Sequence, residues 1–313
     1  MPSDYSLNRR QACQLLLGGV SGVCTGLSSG GLQASDKFRL TYILASSLYG
    51  KIRLEEIVPE VHKTGAEHID IWPLGHANQR EQMEEMGHDR FAELLAEHEV
   101  KLGILTHYDL GPYRLQEEMK VAQKLGAKIL ICGSDRLSSE GDKSLKQKVK
   151  DFLERMKPHA EAAARAGVII GIENHGNSLI SSPDSIRYFG ELAESEQLGI
   201  ALAPYHLPQD PELIAGLIKE LGSKLVHFYA WQHGKGAVRK LPKKEEMFQM
   251  PGYGSMDFVR IVAALREIDY PGWTSIFMHP VPRGIPILPE GQQVTEAVNK
   301  SRRYLETCLG GAA

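Results

Sequence analysis

The sequence predicts a single closed (β/α)8 TIM barrel. Eight strand-then-helix units follow one another without interruption, and the chain's 313 residues leave no stretch for a second domain. Its central strand, Val168 to Glu173, is a short apolar run rich in β-branched residues that follows a helix ending at Gly167, as a strand buried on both faces should be. No glycine-rich dinucleotide fingerprint follows the first strand, so an open doubly wound sheet has no support.

Taken in order, Arg39 to Ala45 reads as the first strand, and Leu54 to Lys63 as a helix stopped by Gly65. His68 to Trp72 is the second strand, with a helix over Arg90 to Glu97. Lys101 to Thr106 is the third, followed by a helix from Arg114 to Leu125 that ends at Gly126. Lys128 to Cys132 precedes a long amphipathic helix, Ser144 to Ala166, which leads into the central strand. Pro183 opens a helix to Leu192, because proline is tolerated in a first helical turn. Leu198 to Ala203 is strand six, with Asp210-Pro211 opening its helix. Leu225 to Ala230 is strand seven, with a helix over Asp257 to Ile268. Trp273 to Met278 is strand eight, and Gln292 to Leu309 closes the chain.

Residues 1–34 read as an export signal. Asn8-Arg9-Arg10 precedes an apolar, glycine-rich segment from Ala12 to Leu27 and a small-residue end near Ala34, a twin-arginine-like pattern that implies a periplasmic address. The barrel then occupies residues 35–313. Cys13 and Cys24 would leave with the signal, and Cys132 and Cys308 read as packing residues, not a disulfide framework. The 36 basic and 39 acidic residues are mixed along the chain for a net charge of −3, which argues against a nucleic-acid stripe or a polybasic membrane anchor. No stable membrane span is expected, and the partner is a small molecule, with homo-oligomers left open.

In a parallel barrel the carboxyl ends of the strands form the active face. They bring together Asp70 and Trp72, His107, Cys132, Glu173 and His175, His206, His227 and His279. A carboxylate such as Glu173 at a strand end must be hydrated, paired or bound, and either an ion pair or a functional site would satisfy it. Five histidines and two carboxylates exceed what packing needs. Trp72, Tyr108, Trp231 and His233 are candidates to stack on a sugar ring, with loop packing as the alternative.

Gly171-Ile-Glu-Asn-His175, Tyr205-His206, Val226-His227, Pro251 to Phe258 and Tyr270-Pro-Gly-Trp273 together resemble the xylose isomerase-like TIM barrels, the superfamily of sugar phosphate isomerases and epimerases, inosose dehydratases and type IV apurinic endonucleases. That resemblance implies a divalent metal, manganese, magnesium, cobalt or zinc, held by a glutamate on strand five, an aspartate on six, a histidine on seven and a glutamate on eight. It also implies proton transfer next to a sugar carbonyl. Glu173 and His227 match two of these positions and are the catalytic candidates. Ala203 and Phe277 replace the other two ligands. Since side chains two apart share a strand face, His279 offers a ligand displaced outward from Phe277. Glu173, His206, His227 and His279 would then form a histidine-rich metal site suited to zinc, copper, nickel or iron. Asp70, Trp72, His107, His175 and Trp231 are the expected substrate contacts. The function expected is a sugar isomerase, epimerase or keto-sugar lyase, and the alternative is a metal-independent or non-catalytic carbohydrate-binding barrel.

Overall fold

The structure, a computed structural model, describes residues 38–137, 143–234 and 238–311. The predicted export signal lies outside these residues. Eight parallel strands pair in sequence order and close on themselves. They are β1 (Thr41–Ala45), β2 (Ala66–Ile71), β3 (Lys101–Thr106), β4 (Ile129–Gly133), β5 (Ile169–Glu173), β6 (Leu198–Leu202), β7 (Leu225–Ala230) and β8 (Trp273–Ile276). The expected barrel is therefore the observed one.

Outside the strands lie α1 (Leu54–Ile57), α2 (Gln79–Met86), α3 (His88–Glu97), α4 (Gln116–Leu125), α5 (Leu145–Ala166), α6 (Pro183–Leu192), α7 (Pro211–Leu221), α8 (Lys243–Glu246), α9 (Val259–Glu267) and α10 (Gly291–Gly311). Local chemistry sets their limits. Ser144, Ser182 and Asp210 accept hydrogen bonds from first-turn amides of α5, α6 and α7, which otherwise lack partners. The inward stripe of α5, Val149, Phe152, Met156, Ala160 and Ala163, is fully buried at helical spacing. Each of its larger members contributes about 1.5–3 kcal/mol.

Two expectations need correction. The helix predicted over Leu54 to Lys63 is α-helical only to Ile57 and continues as tighter 3-10 turns, Val58–Glu60 and His62–Thr64. Pro59 lacks the amide that an α-helix would use there. Strand eight stops at Ile276, whose partner is Ala230. His279 thus lies in the following loop, and the two-residue alternation of a strand does not set its direction.

The barrel interior is packed, and its seams hold the site in place. Glu173 pairs in register with Gly133 of β4 and Ala201 of β6. Below it, a Cβ on Gly199 would lie 2.2 Å from Val226 Cγ1, so glycine there leaves room for the valine. One residue beyond β5, buried Asn174 bonds its side chain to strand six: Nδ2 donates to the Ala203 carbonyl at 3.0 Å, and Oδ1 accepts from the Ala203 amide at 2.7 Å.

Candidate active site

Glu173 lies at the end of β5, buried, and forms part of the wall of a cavity of about 640 Å³ at the carboxyl face. This is in the range of small-molecule sites, about 300–1,000 Å³. The Tyr108 hydroxyl donates to Glu173 Oε2, and His206 Nε2 stands 3.7 Å from Oε1. Burial pushes the Glu173 pKa up from the usual carboxylate value to about 7, against the opposing effect of the Tyr108 hydrogen bond. A group poised there gives and takes protons near neutral pH.

The cavity wall also includes His76, His175, His206 and His279. Burial holds the His206 pKa down at about 3 and that of His76 at about 4, and depresses His279 strongly, so these three rings are neutral. Buried His206 Nε2 has no hydrogen-bond partner among the described residues. A neutral imidazole nitrogen facing a cavity can donate to or accept from a substrate oxygen.

The expected site residues separate into layers. Glu173, His175, His206 and His279 share the cavity. Asp70 lies beneath it, fully buried, accepting from Thr106 Oγ1 at 2.9 Å and Trp72 Nε1 at 2.6 Å. Burial raises its pKa to about 8, so Asp70 carries its proton near neutrality. His107 turns aside: Nδ1 meets Asp109 at 3.0 Å and Nε2 lies 3.7 Å from Glu118, which is itself gripped by Arg80. His227 is wholly buried on β7, with both ring nitrogens lacking partners and its pKa held down at about 3 by burial.

Trp72 and Trp231 are buried as well, in an aromatic cluster around Phe277. Trp72 stacks on Phe277 at 5.1 Å, Tyr229 and Trp231 meet it at 5.2 and 5.1 Å, and His279 meets it at 4.8 Å. Trp231 stacks on Tyr205 at 4.0 Å, and its Nε1 donates to Gln249. The backbone of His279 is bound by that same glutamine, whose Nε2 donates to the His279 carbonyl at 2.8 Å. His76, Arg136 and Arg283 at the rim, together with Asn174 and Gln249, are site residues that strand-end reading misses. Most lie in loops a few residues past a strand, where extending the search into the loops following the strands finds them.

The model of the xylose isomerase-like TIM barrel matches residues 58–306 of this chain. The chain belongs to the xylose isomerase-like TIM barrel family. No curated protein matches it. Among solved structures it is similar to an IOLI protein with a bound zinc atom, at 16% identity and TM-score 0.63 over 88% of this chain and 99% of that one. An L-ribulose 3-epimerase superposes with TM-score 0.63 at 15% identity, over 88% of this chain and 96% of its own. A probable 3-DHS dehydratase, AsbF, from Bacillus anthracis gives 0.62 at 13% identity, over 86% and 98%. Identities this low establish the shared barrel.

The four residues expected to hold a metal are not assembled for it. Among the described residues, no three His, Cys, Asp or Glu side chains gather as a metal centre would require. Physical reasons are visible around them. Glu173 is engaged by Tyr108, and His206 and His279 each meet Trp231 in T-shaped contacts with centroids 5.2 Å apart. His227 packs against Tyr229 at 4.5 Å. Ala203 and Phe277, buried where the resemblance places an aspartate and a glutamate, supply no oxygen. Two of the four ligand positions that the resemblance implies are therefore without a donor here.

Proposed function

We propose that the protein is an enzyme that acts on a sugar or keto-sugar by moving a proton on the carbon beside a carbonyl, with Glu173 as the proton carrier. The observation that carries this reading is the buried strand-end carboxylate poised near pH 7 on the wall of a polar cavity. Glu173 in its charged form takes the proton from carbon, and Tyr108 fixes one carboxylate oxygen while the other faces His206. The neutral His206 imidazole is placed to hydrogen-bond the substrate oxygen on which negative charge develops. Returning the proton to the neighbouring carbon is isomerisation. Epimerisation would require a second acid to deliver a proton to the opposite face of the same carbon while Glu173 keeps the one it took, and loss of the adjacent hydroxyl as water is elimination. Two of the similar structures are titled an epimerase and a probable dehydratase, which supports the same chemistry.

The test is solvent-deuterium uptake into keto-sugars by the wild type and by Glu173→Gln. Uptake lost in a variant that keeps the wild-type circular dichroism supports the assignment, and full uptake in that variant overturns it. A second reading, a sugar-binding barrel without turnover, is favoured by Ala203 and Phe277 at two ligand positions. In that case a sugar would raise the melting temperature of the wild type with no deuterium uptake. The export reading of residues 1–34 makes sugars found outside the cytoplasm the first substrates to try.

A further inference from the structure

The cavity carries one carboxylate, Glu173, but two guanidinium groups, Arg136 and Arg283. Neither arginine has a hydrogen-bond or ion-pair partner for its side chain among the described residues. Nearby arginines are engaged, Arg80 with Glu118 and Glu84, and Arg155 with Asp135. The acids closest in sequence to the cavity residues are likewise committed elsewhere, Asp135 to Arg155 and Asp109 to His107.

Topology places the two guanidiniums across the mouth from each other. Arg136 follows β4 and is tied by a backbone bridge to Ser178 in the loop after β5, while Arg283 lies in the loop after β8. In a closed barrel of eight, β4 and β8 are diametrically opposed. Arg283 is exposed at the rim and lies close enough to Glu173, Tyr205 and Tyr108 to interact with them electrostatically. His175 and His206 line the same cavity, and His206 offers an Nε2 without a partner among the described residues.

We infer that the substrate is an acidic sugar, a polyhydroxy carbonyl compound whose oxyanion, a carboxylate or a phosphate ester, is held by Arg283, with Arg136 facing it across the mouth, while its reacting carbon faces Glu173. The planar fork of arginine suits both oxyanions, and a charge-assisted pair in a partly desolvated cavity outweighs one in open water. The inference rests on the proposed function for the position of the reacting carbon, and on the arginines alone for the charge.

The experiment measures binding to the full chain by calorimetry and thermal shift, using D-glucuronate, D-glucose 6-phosphate and D-glucose as probes. At least one acidic probe should bind about tenfold more tightly than glucose, and its affinity should fall as salt rises. Arg283→Gln should weaken it by about tenfold, with Arg283→Lys intermediate because charge remains without the fork. Comparing glucuronate with glucose 6-phosphate separates a sugar acid from a sugar phosphate. The inference is overturned if glucose binds as tightly as both acids, if neither acid stabilises the wild type, or if an Arg136→Gln, Arg283→Gln double variant binds them unchanged. Arginine-dependent binding with no Glu173-dependent deuterium uptake would leave the anion site standing and sink the proposed reaction. Glu173-dependent uptake on neutral sugars with no arginine effect would do the reverse.

Discussion

The two halves of the barrel mouth have diverged. On the side of β2, β3 and β5, carboxyl groups are retained and hydrogen-bonded: Asp70 to Thr106 and Trp72, Glu173 to Tyr108. On the side of β6, β7 and β8, Ala203 and Phe277 stand where the family resemblance places acids, and Tyr205, Tyr229, Trp231 and Phe277 pack face to face and edge to face. One half keeps buried carboxyl groups with raised pKa values. The other provides a rigid aromatic wall and a depressed, buried His227. The difference teaches that the two sides of one barrel mouth can be built from different chemistry and still present a perturbed carboxylate, because each strand end is positioned by its own seam.

Removing the chemistry from the polar half should have the largest effect. Glu173→Gln is expected to lower turnover by about 10²–10⁴-fold, the range for a general acid–base group, in steady-state assays on a keto-sugar that shows deuterium uptake with the wild type. Next comes the aromatic half. Phe277→Ala should cost about 3–5 kcal/mol of stability in urea unfolding, since Trp72, Tyr229, Trp231 and His279 all lose a partner. A much smaller loss would mean that the aromatic wall is loosely packed and the contrast between the halves overstated.

Titration sharpens the contrast further. The Glu173 pKa is raised from 4.5 to about 7, so the charged base forms only as pH rises through that value, and turnover should rise with it. Stability should run the other way. A carboxyl whose folded pKa exceeds its unfolded one contributes stability fully below the unfolded value, and this is lost as pH rises through the folded value. Urea midpoints should therefore fall from about pH 5 to about pH 8 more steeply in the wild type than in Glu173→Gln. The smallest effect is expected from Tyr108→Phe. The Tyr108 hydrogen bond lowers the Glu173 pKa, so its loss should move the midpoint of the pH–rate profile upward by about one unit. A downward move would show that Tyr108 does not stabilise the charged carboxylate.

Much of the framework was legible in the sequence because it is specified locally. Strand β7 and helix α6 follow the apolar run from Leu225 and the Ser182-Pro183 start residue by residue. Helix α2 escapes such reading because Met83 is its one buried apolar residue, its other buried positions being Gln79 and Arg80, and a stripe that thin has no helical signal. Glu173 was legible as a strand end, but the orientation of His107 was not. That histidine turns toward Glu118, whose position on α4 is set by the buried Arg80 ion pair. Likewise, the contacts of Trp231 with His206 and His279 depend on a stack with Tyr205 that sequence spacing does not encode. Strand alternation likewise does not set the direction of His279, since it follows a strand that has already ended.

Asn174 has a consequence for which substitutions the chain can accept. Its amide donates to one side of the Ala203 peptide and accepts from the other, so it stands in for a missing rung of backbone pairing just where the main chain turns away after Glu173. Aspartate there would set an acceptor against a carbonyl, and leucine would leave the Ala203 amide without its partner, its carbonyl keeping only the His206 amide. A mutational scan scored only for folded protein would therefore show position 174 as intolerant, although it touches no cavity, while its neighbour Glu173 would accept glutamine freely.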